Sequence, residues 1–225
     1  KQNRPDVFVP IDFQGFNMML CVAAKKMNIP IIYYISPQEW QWGSEKGGRK
    51  VVENTTKILS IFKEEESFYN GLGGKATYIG HPLKDIVKSD VTKDDFYKKY
   101  NIDIGKRIVS VFPGARPQEV AYVFPVLLES AMQLQRSFDD IQIVISLVAE
   151  HTKKNIISEV NKSGMSNVIY YEDHPYDLIA NTTLSLTKSG TVTLDHALLE
   201  TPCIVAYKFS SISYSLIKLL FSKKF

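Results

Sequence analysis

The chain reads as an α/β protein built on parallel sheets. Three observations predict this. Short apolar runs alternate with amphipathic stretches along its 225 residues, the strand–helix order that yields parallel sheets. Most of those runs are continuous rather than strictly alternating, as strands covered on both faces require. A polar stretch, KSDVTKDD at residues 88–95, interrupts the order midway and reads as the boundary between two such domains.

Taken in order, Val7-Phe8-Val9-Pro10-Ile11 is a strand-like run, and residues 15–27 follow as an apolar helix pattern holding Cys21. Strands are predicted next at 30–35, 57–62 and 76–79, with a helix at 64–70. Beyond the boundary come a helix at 92–100, a strand at 108–112 and a long helix at 118–137. Strands at 141–146, 167–171, 183–186 and 203–206 alternate with helices at 151–163, 176–181 and 191–199. The end of the chain, residues 207–225, reads as an amphipathic helix in which lysines flank Ile212, Leu216 and Phe221.

Composition excludes several classes. With 44% hydrophobic and 23% charged residues, 12 Gly, 10 Pro and 2 Cys, the chain is neither disordered, collagenous nor a disulfide scaffold. A net charge of +3 is too evenly spread to indicate nucleic acid. Cys21 and Cys203 read as buried, reduced thiols of a cytosolic context. No run approaches the ~20 apolar residues of a membrane span. No His/Cys spacing suggests a metal site, and no cofactor is indicated. Lys1 leads at once into a strand-like run and Phe225 closes a helical pattern, so the chain is expected to be an interior piece of a longer protein.

Ligands of open parallel sheets bind at the carboxyl ends of strands. After residues 108–112 comes Pro113-Gly114-Ala115-Arg116-Pro117-Gln118-Glu119. A tight loop entering a helix start, with a bidentate cation, suits a diphosphate; an ordinary turn with a surface Arg has the same pattern. After 183–186 comes a second small, hydroxyl-rich turn with Ser189, Gly190 and Thr191, then Asp195 one turn into the helix. These could hold phosphate and ribose, or serve as a helix cap with a first-turn acid. Asp12, at the end of 7–11, is placed either as a general base or as a helix cap. Trp40 and Trp42 follow 30–35 and suit a sugar face or an acyl chain, or belong to a loop folded back on the core. His81 follows 76–79 as a ligand donor or a cap of the interdomain crossing.

As a set these motifs resemble the lipid-A-disaccharide synthase family. Asp6-Val7-Phe8-Val9-Pro10-Ile11-Asp12 with Phe16-Asn17 is similar to its DVFIGID…FN segment, and Ser36-Pro37-Gln38-Glu39-Trp40-Gln41-Trp42 to its SPxxWAW. Gly80-His81-Pro82, Pro113-Gly114-Ala115-Arg116-Pro117-Gln118-Glu119-Val120 and Ser189-Gly190-Thr191-Val192-Thr193-Leu194-Asp195 are similar to GHP, PGSRxxEV and SGTATLE. The resemblance is collinear over essentially the whole chain. It implies a GT-B type fold, two Rossmann-like parallel-sheet domains facing a cleft, both incomplete here. Residues 1–88 would be part of an acceptor-side domain, 89–206 a nucleotide-sugar-binding domain and 207–225 a truncated amphipathic helix, either touching membrane or packed on the sheet.

The implied activity is an inverting transfer from UDP-2,3-diacylglucosamine to 2,3-diacylglucosamine 1-phosphate, giving the β-1,6 disaccharide of lipid A and UDP. By resemblance Asp12 is the base and Arg116 stabilises the departing UDP. Gly114, Glu119, Ser189, Gly190, Thr191 and Asp195 would hold the nucleotide sugar. Asn17, Ser36, Trp40, Trp42 and His81 would contact acceptor or acyl chain. A cytoplasmic protein, peripheral on the inner membrane of a Gram-negative-type bacterium and homodimeric at full length, is implied. This piece alone is expected to be inactive. Gly15, Ala115 and Pro117 depart from the family pattern where it has Asp, Ser and a small residue. Two other readings stay open: another GT-B enzyme using a UDP-sugar, such as an epimerase-like relative, and an inactive homologue that binds lipid or nucleotide.

Overall fold

The structure, a computed structural model, describes residues 3–208. The chain forms two compact units, Lys1–Lys84 and a second beginning at Asp85. The predicted amphipathic helix at 207–225 lies outside the described residues, save its first two positions.

The first unit contains α1 (Gln14–Lys26), β1 (Ile32–Tyr34), α2 (Glu45–Glu53), β2 (Lys57–Ser60), α3 (Lys63–Gly71) and β3 (Ala76–Tyr78). Its three strands pair in parallel in the order β1-β2-β3. Cys21, Ile31, Tyr33, Val51, Ile58 and Tyr69 are buried in its core. Each fully buried side chain of this size contributes about 1.5–3 kcal/mol. A short helix, α4 (Leu83–Ile86), spans the point where the units divide.

Two expectations fail here. Residues 7–11 run beside β1 but form only isolated parallel bridges, Phe8 with Ile31 and Ile11 with Tyr34. The Phe8 amide donates to the Pro30 carbonyl and the Asp12 amide to that of Tyr34. Between them Pro10 has no N–H to donate, so the ladder breaks. Conversely, α2 was not foreseen, because Gly47-Gly48 disfavours a helix. Ser44 caps it, its Oγ accepting from the Gly47 amide at 3.1 Å. Gly48 is required by packing, since a Cβ there would lie 2.6 Å from the Phe68 and Leu72 side chains of and beside α3.

The second unit contains α5 (Lys93–Lys99), β4 (Arg107–Phe112), α6 (Pro117–Ser137), β5 (Ile141–Ser146), α7 (Lys153–Ser163), β6 (Val168–Tyr171), α8 (Pro175–Ala180), β7 (Leu184–Lys188), α9 (Val192–Leu198) and β8 (Cys203–Ala206). Its sheet is parallel, in the order β6-β5-β4-β7-β8. Successive side chains leave a strand on opposite faces. Val109 and Val111 accordingly join Val120, Phe124 and Ile156 in one core. Ile108 and Phe112 join Phe96, Leu178 and Ile179 in the other. This two-sided cover explains the continuous apolar runs. Between the strands, the buried Ser110 and Ser185 hydroxyls pair at 2.7 Å.

The chain leaves β4 toward β5 and β6, then returns to lay β7 on the opposite side of β4. The carboxyl ends of β4 and β7 are therefore a topological switch point, where such sheets bind ligands.

Candidate functional site

The two phosphate-style loops lie at that switch point. Past β4 the chain turns at Gly114, whose φ is 100°. Glu119, in the first turn of α6, folds its carboxylate back onto this loop. Its Oε2 accepts from the amides of Ala115 and Arg116, both at 3.3 Å. A Cβ at Gly114 would stand 2.9 Å from that oxygen, so both φ and space call for glycine.

The other oxygen, Oε1, ion-pairs with Lys188 at 2.8 Å, and both side chains are largely covered, 16% and 19% exposed. Burial alone would raise the Glu119 pKa. The Lys188 ammonium and the two loop amides outweigh it and hold the carboxyl below its ordinary range. Arg116 differs: its side chain is 84% exposed, and its Nη1 stands 4.0 Å from Glu119 Oε1. Glu119, expected among the residues that hold the nucleotide sugar, has both oxygens on the protein itself, so the site presents an exposed guanidinium on a loop whose carboxylate is already engaged by Lys188 and two amides.

Lys188 is the last residue of β7, and Ser189, Gly190 and Thr191 follow it. The Ser189 amide donates to the Ala206 carbonyl at 2.9 Å. A Cβ at Gly190 would stand 3.2 Å from Lys188 Nζ. Thr191 is the cap position of α9 but makes no side-chain cap bond; Thr193 Oγ1 instead donates to the Gly190 carbonyl at 2.7 Å. Thr191 thus holds the cap position, with Asp195 in the first turn, but without a side-chain cap bond. Asp195 is half-buried on the first turn of α9. Beside it His196 is fully buried, with Nδ1 2.7 Å from the Val192 carbonyl and its ring edge-on to Phe112 at 5.1 Å. Burial lowers its pKa, so it is neutral and fastens α9 to the end of β4.

In the first unit, Asp12 does not cap α1; the cap position is Phe13. Asp12 and Phe13 both adopt left-handed backbone, with φ of 47° and 45°. Such a conformation costs a non-glycine residue roughly 1–2 kcal/mol. Two side chains hold it. Asn17 Nδ2 donates to the carbonyls of Asp12 at 2.8 Å and Ile11 at 3.1 Å. The buried Tyr33 hydroxyl donates to the Asp12 carbonyl at 2.8 Å, and burial pushes its pKa up to about 12, keeping it a neutral donor. The Asp12 residue itself is exposed. Asn17, expected as an acceptor contact, has its amide engaged in holding the Asp12 turn.

The loop after β1 is tied inward. Ser36 is buried, and its hydroxyl donates to Glu65 Oε1 at 2.5 Å, so it points at Glu65 rather than at a ligand. Glu65 also accepts from the Ile61 amide at 2.8 Å, and burial raises its pKa. Glu39 accepts from Gln14 Nε2 at 2.6 Å and from the Ser44 amide at 3.0 Å, joining the loop to α1 and α2. Trp40, Phe62 and His81 pack in a row, with centroids 5.7 and 5.5 Å apart. Trp40 Nε1 is buried without a hydrogen-bond partner among the described residues. His81 Nδ1 accepts from the Leu83 amide at 3.2 Å at the start of α4, and Trp42 stands 73% exposed.

Within the second unit the structure gathers Gly114, Arg116, Glu119 and Gly190 around Lys188. Within the first it gathers Asp12 and Asn17, and separately Trp40 and His81. Lys188 and Tyr33 were not foreseen. A lysine closing an otherwise covered strand was the available signal for the first. Among the described residues no group of three His, Cys, Asp or Glu could hold a metal ion, and no helix is long and apolar enough to cross a membrane.

The sequence model of the family described as lipid-A-disaccharide synthetase matches residues 1–225. The chain belongs to the lipid-A-disaccharide synthetase family. Lipid-A-disaccharide synthase of Geobacter sulfurreducens is 36% identical over 220 residues, covering 97% of this chain and 56% of the relative. That of Sulfurihydrogenibium sp. is 37% identical, covering 93% and 57%. The chain thus spans little more than half the length of these relatives. Among solved structures, UDP-GlcNAc 2-epimerase from Neisseria meningitidis bound to UDP-GlcNAc has a TM-score of 0.62 at 15% identity, covering 95% of this chain and 62% of that one. An S. aureus MnaA–UDP complex has a TM-score of 0.65 at 13% identity, covering 95% and 61%. Likeness at that identity shows the fold, parallel-sheet units of GT-B type.

Proposed function

We propose that this chain is the part of a lipid-A-disaccharide synthase carrying its base and its diphosphate site. The observation that carries the reading is the pair of loops at the β4/β7 switch point, joined through Glu119 and Lys188 and presenting Arg116 to solvent. The donor is UDP-2,3-diacylglucosamine and the acceptor 2,3-diacylglucosamine 1-phosphate. The acceptor 6-hydroxyl attacks C1 of the donor sugar from the face opposite the diphosphate. The C1–O bond to the diphosphate breaks, so the configuration inverts. The hydroxyl proton passes to the Asp12 carboxylate, and UDP departs with the bonding pair.

Arg116 stabilises the charge that grows on the leaving diphosphate, the term a preorganised cation supplies best. Ser189, Gly190 and Thr191 line the same end of the sheet and hold phosphate oxygens, with Asp195 on the ribose. The Asp12 turn is strained and held by two donors, the kind of backbone found where a side chain must be aimed. Trp40, Trp42 and His81 take sugar or acyl surface. Acylated substrates set the reaction at the cytoplasmic surface of a Gram-negative-type inner membrane.

The test is UDP release by the full-length protein given both acylated substrates, wild type against Arg116→Ala. The reading expects Arg116→Ala to lose about a hundredfold or more in kcat, as removal of one charge-stabilising donor does. UDP release undiminished in that variant would remove Arg116 from the mechanism.

A further inference from the structure

We infer that Lys188 is a positioning residue for the transfer: it holds the Glu119 carboxylate so that Arg116 remains available to the diphosphate. The inference rests on the role proposed for Arg116 and extends it to a residue no motif marked. Glu119 follows Arg116 by three residues on the start of α6, a spacing at which opposite charges pair on a helix. Arg116 Nη1 is already 4.0 Å from Glu119 Oε1. The same oxygen is instead taken by Lys188 at 2.8 Å, while Oε2 stays on the amides of Ala115 and Arg116.

Lys188 is built for this inward task. It is the last residue of β7, so its backbone is fixed by pairing with Ala206 of β8. Its side chain is 16% exposed against 84% for Arg116. Gly190 leaves room for the ammonium, because a Cβ there would come within 3.2 Å of it. A cation so covered serves the protein's own carboxylate, and the exposed one is free to serve a ligand. Without Lys188, Glu119 would hold one oxygen on the loop amides and turn the other to Arg116. The leaving diphosphate would then meet an ion pair rather than a cation.

The experiment compares the full-length wild type with Lys188→Met, Glu119→Gln/Lys188→Met and Arg116→Ala, reading kcat, UDP affinity and the melting temperature. Lys188→Met is expected to lose about tenfold in kcat and in UDP affinity, the scale of one charge-assisted hydrogen bond. Its melting temperature should change little. The double variant has no carboxylate left to neutralise Arg116, and it should recover most of both losses.

If the double variant is as impaired as Lys188→Met, Lys188 touches the ligand itself or merely braces the loops, and the inference is wrong. It is equally wrong if Lys188→Met matches wild type while Arg116→Ala is inactive. If Lys188→Met does not fold, the double variant decides: near-wild-type kcat supports the inference, and a tenfold loss overturns it. An active Arg116→Ala would instead strike the role of Arg116.

Discussion

Asn17→Ala isolates what holds Asp12 in place. The substitution deletes two hydrogen bonds, from Nδ2 to the carbonyls of Asp12 at 2.8 Å and Ile11 at 3.1 Å. Each is worth a net of about 0.5–1.5 kcal/mol, so stability should fall by about 1–3 kcal/mol. The turn they support carries two non-glycine residues in left-handed backbone, together about 2–4 kcal/mol above ordinary conformations. Among the described residues, the Tyr33 hydroxyl alone would still hold the Asp12 carbonyl. Released from one side, the turn can relax and swing the Asp12 carboxylate off line. A base misplaced by about 1 Å can cost on the order of a hundredfold in rate. The assay is kcat and KM of the full-length protein with both substrates, beside urea denaturation of the same samples. The expected result is a kcat loss of ten- to a hundredfold, estimated from that misplacement cost, with KM for the donor nearly unchanged. A variant that is destabilised yet keeps wild-type kcat would refute the claim that this turn aims Asp12.

Gly114→Ala places a Cβ 2.9 Å from Glu119 Oε2 at a φ of 100°. Backbone strain and the loss of two hydrogen bonds from loop amides sum to about 2–5 kcal/mol, visible as a lower denaturation midpoint of the second unit with weakened UDP binding; an unchanged midpoint would show that the loop tolerates a side chain. His196 carries a folded pKa below its usual 6.5. Its stabilising contribution is therefore complete above that value and is lost as pH falls through it, when the unfolded chain takes up the proton first. The melting temperature should decline between about pH 7 and about pH 5, and His196→Gln should flatten that part of the curve. A variant with the same slope as wild type would locate the acid sensitivity elsewhere.

The parallel sheets were legible because burial on both faces writes largely apolar runs into β4 and β5. The polar stretch at 88–95 lies just past Lys84, where the first unit ends. What escaped the sequence depends on contacts distant in the chain. Residues 7–11 have the composition of a strand, but a missing N–H at Pro10 outweighs propensity. The helix α2 is hidden by Gly47-Gly48, and only the closeness of Phe68 and Leu72 shows why a glycine belongs there. At the candidate site, the loop sequences pointed to Arg116 and Gly114 as residue types suited to a diphosphate. They did not point to Lys188, because its meaning comes from β7 lying beside β4, a neighbour relation set by strand order. Ser36 and Asn17 show the reverse. Both are polar residues shortly after strand-like runs, and both direct their side chains to the protein itself.

The most direct test is the structure of the product. The full-length protein is incubated with UDP-2,3-diacylglucosamine and 2,3-diacylglucosamine 1-phosphate, and the anomeric configuration and linkage of any disaccharide are read by NMR, for wild type and Asp12→Ala. The account predicts a β-1,6 disaccharide from wild type and none from Asp12→Ala. Retained configuration, an equal yield from Asp12→Ala, or turnover of UDP-GlcNAc alone would contradict it.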